Sequence, residues 1–232
     1  IATIPSVLFS GITQLFEIGD IKKIKFLYFN LSDLLIRLGI VFGGCYLYVN
    51  ELFISLWVGM SNFGGIDLTI MFVIWCIFHG FSTGISNIIY ASGDLKGLTI
   101  ISILEAILNL TLTIIFVKSF GLIGVALGTI LSKLIVLTYL PLKINKILNV
   151  KNTKFFKTII LKIIFYTIPV VITGELLSLL TLNFLNPISQ IILLCGCILF
   201  VSIFMSEGIF LLKNRKKTFK ENVSILKTFY GL

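Results

Sequence analysis

The side chains with most chemistry to offer in this sequence are charged or polar residues set inside long apolar runs: Asp33, Arg37, His79, Glu105, Lys133 and Glu175. A charge in an apolar environment is costly, so each needs a partner, a wet cavity or a route to the surface. Glu105 and Lys133 each lie fourteen residues from Ser119, where two apolar runs meet. If those runs are helices folded back at Ser119, both charges sit about 21 Å from the turn, at equal depth. They are therefore candidate partners. As a structural pair they would let two charges share one helical bundle. As functional groups, Lys133 could face a cavity for an anionic headgroup, or Glu105 could relay a proton or cation.

Arg37 follows Asp33 by four residues, which puts both on one helix face. Two readings stand side by side. Arg37 can snorkel to a nearby interface, or it can offer its planar, permanently charged fork to a phosphate. His79, Thr83 and Asn87 recur at four-residue steps, with Ser82, Ser86 and Tyr90 beside them, and Glu105, Asn109 and Thr113 repeat the pattern in the next run. Such polar stripes must face protein or water. Interhelical hydrogen bonding explains them, and so does a hydrated cavity between two adjacent helices. Asn87 and His79 are candidates to touch a substrate there; Asp33, Glu105 and Asn109 are candidates for ion coupling or ion pairing. His79 has no second His or Cys nearby, and no metal site is expected. Glu175 and Glu207 lie near the ends of their runs, where snorkelling accounts for them.

The elements that must position these residues are membrane spans. Of 232 residues 57% are hydrophobic and 12% charged, with a mean hydropathy of +1.09. A soluble domain carries about 25% charged residues to solvate its surface. About 20 apolar residues cross a hydrocarbon core, and that measure predicts one partial span and six full ones. They cover 1–16, 30–50, 66–91, 97–117, 120–141, 157–182 and 188–212. Continuous apolar runs of this length exclude period-2 barrel strands. The fold class expected is an all-α integral membrane bundle of about seven transmembrane segments, the first partial. The chain opens at Ile1 with a span under way, which suggests the C-terminal part of a longer protein.

Loop charge orients the spans. Lys22, Lys23, Lys25, Lys96, Lys143, Lys146, Lys151, Lys154, Lys157, Lys213, Arg215, Lys216, Lys217, Lys220 and Lys227 fall on one side, and only Lys118 falls on the other. The basic side is read as cytoplasmic, which places the C-terminus there. Tyr48 and Trp57 flank the opposite end of the second span, as interfacial rings do. The net charge of +9 is thus spread over short loops and a tail (213–232), not gathered on one solvated face, and no nucleic-acid partner is expected. Cys45, Cys76, Cys195 and Cys197 all lie in apolar runs without disulfide or zinc spacing. Gly124 and Gly128 form a small-xxx-small face suited to close helix contact. Gly19-Asp20-Ile21-Lys22 and Gly93-Asp94-Leu95-Lys96 each follow a similar Ser/Thr-Gly-Ile segment, an internal echo at two span ends.

Gly93-Asp94-Leu95-Lys96, the Glu105–Asn109 segment and Phe120-Gly121-Leu122-Ile123-Gly124-Val125-Ala126 follow one another in an order that resembles the polysaccharide biosynthesis and O-antigen flippase family. Leu52-Phe53-Ile54-Ser55-Leu56-Trp57-Val58-Gly59, Pro5 and the Gly19-Asp20 turn fit the same pattern. The likeness covers residues 1–143, and 144–212 match as two appended helices with a cytoplasmic loop. That family shares a superfamily with multidrug extrusion transporters and lipid II flippases. The resemblance implies the second lobe of a two-lobed transporter with the multidrug-extrusion-like fold, the first lobe lying in a missing N-terminal half. It implies an undecaprenyl-diphosphate-linked oligosaccharide as substrate, alternating access, membrane lipid as a partner, and a bacterial or archaeal plasma membrane location. It places Arg37 and Lys133 as the cations that would attract a diphosphate. No cofactor is expected beyond coupling to H⁺ or Na⁺. A cation-coupled multidrug exporter of the same superfamily is the alternative. A membrane-embedded transferase is disfavoured, because the loops hold no D-x-D and no second His to build a catalytic constellation.

Overall fold

A computed structural model describes residues 9–181 and 186–204. The described residues are helical apart from short connections: α1 (Phe9–Ile18), α2 (Ile21–Trp57), a 3₁₀ turn (Met60–Asn62), α3 (Ile66–Ala91), α4 (Leu95–Ile147), α5 (Asn152–Thr181) and α6 (Pro187–Phe204). Five of them, α2 to α6, are long and apolar enough to cross a membrane. α4 is a hairpin, because Gly121, at φ 57° and ψ −132°, reverses the chain between its two arms. Only glycine reaches that backbone region without strain. The turn expected near Ser119 is therefore centred two residues later. Residues 1–8 of the first predicted span, residues 205–212 of the last, Pro5, Glu207 and the basic tail lie outside the described residues.

The helices begin and end by local chemistry. Gly19 adopts φ +75°, and its N–H bonds the Phe16 carbonyl at 3.1 Å while the Asp20 N–H bonds that of Leu15 at 3.1 Å. This pairing satisfies the last free carbonyls of α1. Asp20 then caps α2 by accepting the Lys23 N–H at 3.1 Å. Gly93 (φ +79°) likewise ends α3, with its N–H on the Tyr90 carbonyl at 3.0 Å, but the Asp94 side chain does not cap α4 and pairs with Lys143 Nζ at 2.8 Å. The Gly-Asp echo is thus a shared positive-φ glycine whose aspartate is used differently in each copy. Asn149 (φ 50°) closes α4, with the Val150 N–H on the Asn145 carbonyl at 2.8 Å.

These caps also correct the predicted span ends. α2 runs back to Ile21 and on to Trp57, well beyond 30–50. At about 1.5 Å per residue its 37 residues are about 55 Å long, far more than hydrocarbon requires. Hydropathy marks where a helix meets lipid, and capping marks where it stops.

α2 is the hub. It packs on α3 along one side and on α5 along another, and α3 in turn packs on the α4 hairpin. Glycines permit the close approach. A Cβ on Gly39 would stand 3.2 Å from Ile77 Cγ1, one on Gly43 2.7 Å from Val73 Cγ1, and one on Gly44 would overlap Val170. Without a hydrophobic drive between helices in lipid, such backbone proximity supplies the van der Waals contact. α2 and α5 run parallel. Tyr28 stacks on Phe155 with ring centroids 4.7 Å apart and planes 9° off parallel. At the far end, Tyr48 packs on Gly174 and its hydroxyl lies 3.0 Å from Glu175 Oε1. α6 adds Ile198, wholly buried in the same core. The hairpin arms meet across Gly124 and Gly128, whose Cβ atoms would collide with Phe116 and Thr113. Ile100, Ile107, Leu110, Ile114 and Phe120 point outward from them, exposed, as a lipid-facing surface requires.

Candidate functional site

The structure gathers the sequence's polar candidates into two groups, on opposite sides of α3. The larger lies between α3 and the hairpin. Ser82, Thr83, Ser86, Asn87 and Tyr90 of α3 face Ser102 and Glu105 of the first α4 arm and Lys133 of the second, around a cavity of about 230 Å³. Lys133 Nζ meets Glu105 Oε1 at 2.8 Å, with the two side chains 12% and 24% exposed. The equal-depth argument thus finds its pair. One turn along, Asn109 Oδ1 accepts the Thr113 hydroxyl at 3.1 Å, and the Thr129 hydroxyl lies 3.3 Å from it and 3.0 Å from the Val125 carbonyl. Glu105–Lys133 and Asn109–Thr129 share one register across the hairpin. The glycines at 124 and 128 allow it, by bringing the arms close enough for short side chains to bond.

His79 does not line this cavity, although it lies within Coulombic reach of Lys133 and Glu105. Its ring stacks on Trp75, one turn away, with centroids 5.1 Å apart and planes 13° off parallel. Trp75 in turn borders a separate apolar hollow of about 280 Å³, with Leu68, Met71, Phe72, Leu122, Val125, Ala126 and Thr129. Asn87 does face the polar cavity.

The second group lies in the α2–α5 seam. Asp33 Oδ1 pairs with Lys162 Nζ at 2.8 Å and accepts the Tyr166 hydroxyl at 3.0 Å. Arg37, one turn along α2 and half-buried, makes no ion pair or hydrogen bond with the described residues. The Asp33–Arg37 neighbourhood expected from spacing exists, but Asp33 spends its Oδ1 atom on α5 instead. Arg37 and Lys133, read from sequence as two cations of one cavity, occupy different seams. Lys162 and Tyr166 were missed. Their four-residue spacing inside a span mirrors Asp33 and Arg37 and was the available signal. Asn50 and Thr69, joined at 2.9 Å near the connection between α2 and α3, were missed as well. Glu175 is exposed and held by Tyr48.

What the first group can do follows from its charges. Glu105 and Lys133 neutralise each other, so the cavity is polar without net charge and can hold water or hydroxylated groups inside a largely apolar bundle. The second group carries one negative and two positive charges. Among the described residues no cluster of three His, Cys, Asp or Glu side chains is placed to hold a metal ion.

Comparison with known proteins agrees with the architecture. Among solved structures, lipid II flippase MurJ in its inward closed conformation matches with a TM-score of 0.66 and 17% sequence identity, over 89% of this chain and 43% of that one. At that identity the likeness speaks for the fold, and the chain spans under half the length of the flippase it matches. No curated protein sequence matches the chain. A family model described as lipid II flippase MurJ matches residues 68–211, well over half of the 232 residues. The resemblance noted in the sequence therefore holds at the level of lipid-linked precursor flippases, which are transporters and not enzymes, while the matching family is the lipid II branch and not the O-antigen one. A multi-pass helical membrane protein with this fold and this match belongs to the lipid II flippase MurJ family.

Proposed function

We propose that the protein is a flippase for a lipid-linked cell-envelope precursor, and that the precursor is lipid II in preference to an O-antigen or other polysaccharide intermediate. The observation that carries this reading is the family match over residues 68–211. The physical problem such a protein solves is a polar headgroup that must cross about 30 Å of hydrocarbon. A lobe supplies part of a shielded polar route when its charges are paired and its cavities are lined by hydroxyls and amides. The Glu105–Lys133 cavity has that make-up.

In this reading residues 1–143 form the second lobe, 144–212 append two helices, and the basic loops and the C-terminus face the cytoplasm of a bacterial or archaeal cell. Transport proceeds by alternating access against a first lobe. Asn87 and Lys133 contact the polar part of the substrate, and His79 adjusts the neighbouring wall. Coupling to H⁺ or Na⁺ falls to Asp33, Glu105 or Asn109.

Complementation tests it. The full-length protein should sustain growth of a bacterium depleted of its own lipid II flippase. Rescue of an O-antigen flippase mutant without rescue of growth would support the oligosaccharide substrate instead. Resistance to toxic cations with neither rescue, at normal abundance in the membrane, would point to a cation-coupled exporter and overturn the flippase reading.

A further inference from the structure

The four cysteines have no disulfide spacing in the sequence, yet two of them meet in the fold. α6 lies on α2 where Gly44 leaves no side chain between them. A Cβ on Gly44 would stand 4.0 Å from Ile198 Cγ2 of α6 and would overlap Val170 of α5. Ile198 is wholly buried there, and Leu194, one turn earlier, is buried with it. Cys45 adjoins Gly44 and is itself buried. Cys195 precedes Ile198 by three residues, which puts both on one face of α6, and it packs against the same core. The two thiols are thus neighbours across the α2–α6 contact, within hydrogen-bonding reach of each other. The other two cysteines are placed differently. Cys76 is exposed on α3. Cys197, about 200° around α6 from Cys195, lines the hollow between α5 and α6.

We propose that Cys45 and Cys195 form a modification site, a thiol pair that a hydroperoxide dissolved in the bilayer oxidises to a disulfide tying α6 to α2. Cys195, the less buried of the two, attacks first. Its sulfur takes the terminal peroxide oxygen, the O–O bond breaks, and an alcohol leaves, so that Cys195 becomes a sulfenic acid. The Cys45 sulfur then displaces that oxygen as water, and the S–S bond forms. In sum, two thiols give up two electrons and two protons, and the hydroperoxide becomes an alcohol and water. A disulfide needs its two Cα atoms within about 7 Å, and the glycine beside Cys45 supplies the close approach. Burial slows the first step, so the site answers to sustained oxidation. The same burial keeps the bond away from the hydrophilic thiols that hold cytosolic cysteines reduced. Helices in lipid are held by van der Waals contact and hydrogen bonds, so a covalent bond between residues 150 positions apart adds a constraint of another order. The site does not depend on which precursor the protein carries.

The experiment treats the full-length protein in phosphatidylcholine vesicles with cumene hydroperoxide, alkylates the remaining thiols and maps the digested peptides by mass spectrometry. A linked peptide pair joining Cys45 to Cys195 should appear, disappear with dithiothreitol, persist in C76S/C197S and be lost in C45S and in C195S. C45S should instead hold Cys195 as a sulfenic acid, captured by dimedone. Oxidised C76S/C197S should unfold at a higher temperature than its reduced form, with no such rise in C45S. Folded C76S/C197S that forms no Cys45–Cys195 bond, a linkage that maps to Cys76 or Cys197, or no dimedone adduct on Cys195 in C45S would overturn the proposal. Growth rescue is measured separately, so failure here leaves the flippase reading standing, and the reverse also holds.

Discussion

Removing one partner of the Glu105–Lys133 pair should destabilise the hairpin, and removing both should not. The charges lie about 3 Å apart, with the N···O distance at 2.8 Å. At an effective dielectric of 20 that separation gives about 5–6 kcal/mol of gross attraction. Desolvation of the two ions offsets most of it, so the net worth of the intact pair is small. The asymmetry lies in breaking it. Glu105→Gln leaves Lys133 charged, only 12% exposed and unmatched, and a buried pair broken in this way costs about 3–5 kcal/mol. The wetter Glu105 side chain, 24% exposed, argues for the lower end, about 3 kcal/mol. By the scaling of soluble domains of similar size this is a fall of roughly 6–12 °C in Tm. Glu105→Gln combined with Lys133→Met should return to within about 1 kcal/mol of wild type. Thermal unfolding of the four proteins in detergent measures the coupling, and growth rescue by the same four measures function. Stability restored without transport would assign Lys133 to the substrate; both restored would make the pair structural. Glu105→Gln unfolding with wild type, or a double variant no better than the single, would refute the reasoning.

Three further outcomes follow from the packing. Gly44→Leu should force α2 off Val170 of α5 and sharply lower the yield of folded protein, whereas Gly11→Ala, with no atom within 4 Å of its Cβ, should be silent in the same assay. The Tyr28 hydroxyl is fully buried and without a hydrogen-bond partner among the described residues; Tyr28→Phe should therefore be neutral or stabilising by up to about 1 kcal/mol, as read by thermal unfolding, while Tyr28→Ala should cost about 3 kcal/mol or more with the loss of its stack on Phe155. A single cysteine placed at Lys151, in a background lacking the four native cysteines, should resist an impermeant thiol reagent in intact cells and react once the membrane is opened; labelling in intact cells would reverse the orientation.

How far the fold could be read from residues depends on the range of each interaction. The spans were legible because lipid imposes one rule, a continuous apolar run, on every helix that crosses it. Their ends were not, because α2 continues past its apolar run into water, where only the Asp20 cap stops it. Glu105 and Lys133 could be paired in advance because a tight hairpin converts sequence spacing into depth. No such shortcut joined Asp33 to Lys162. They are 129 residues apart, and their meeting depends on the parallel register of α2 on α5, which Gly44, Tyr28 and Phe155 set in three dimensions. The same gap hid the separation of Arg37 from Lys133. Both are cations inside spans, and only the order of helices around α3 shows that they serve different seams.

Translocation itself is the most direct test. Full-length protein in proteoliposomes should move fluorescent lipid II from the inner to the outer leaflet, seen as a protein-dependent rise in the fraction bleached by an impermeant reductant. A bleached fraction equal to that of protein-free vesicles, with the protein folded and inserted, would contradict the assignment of this chain to a lipid II flippase.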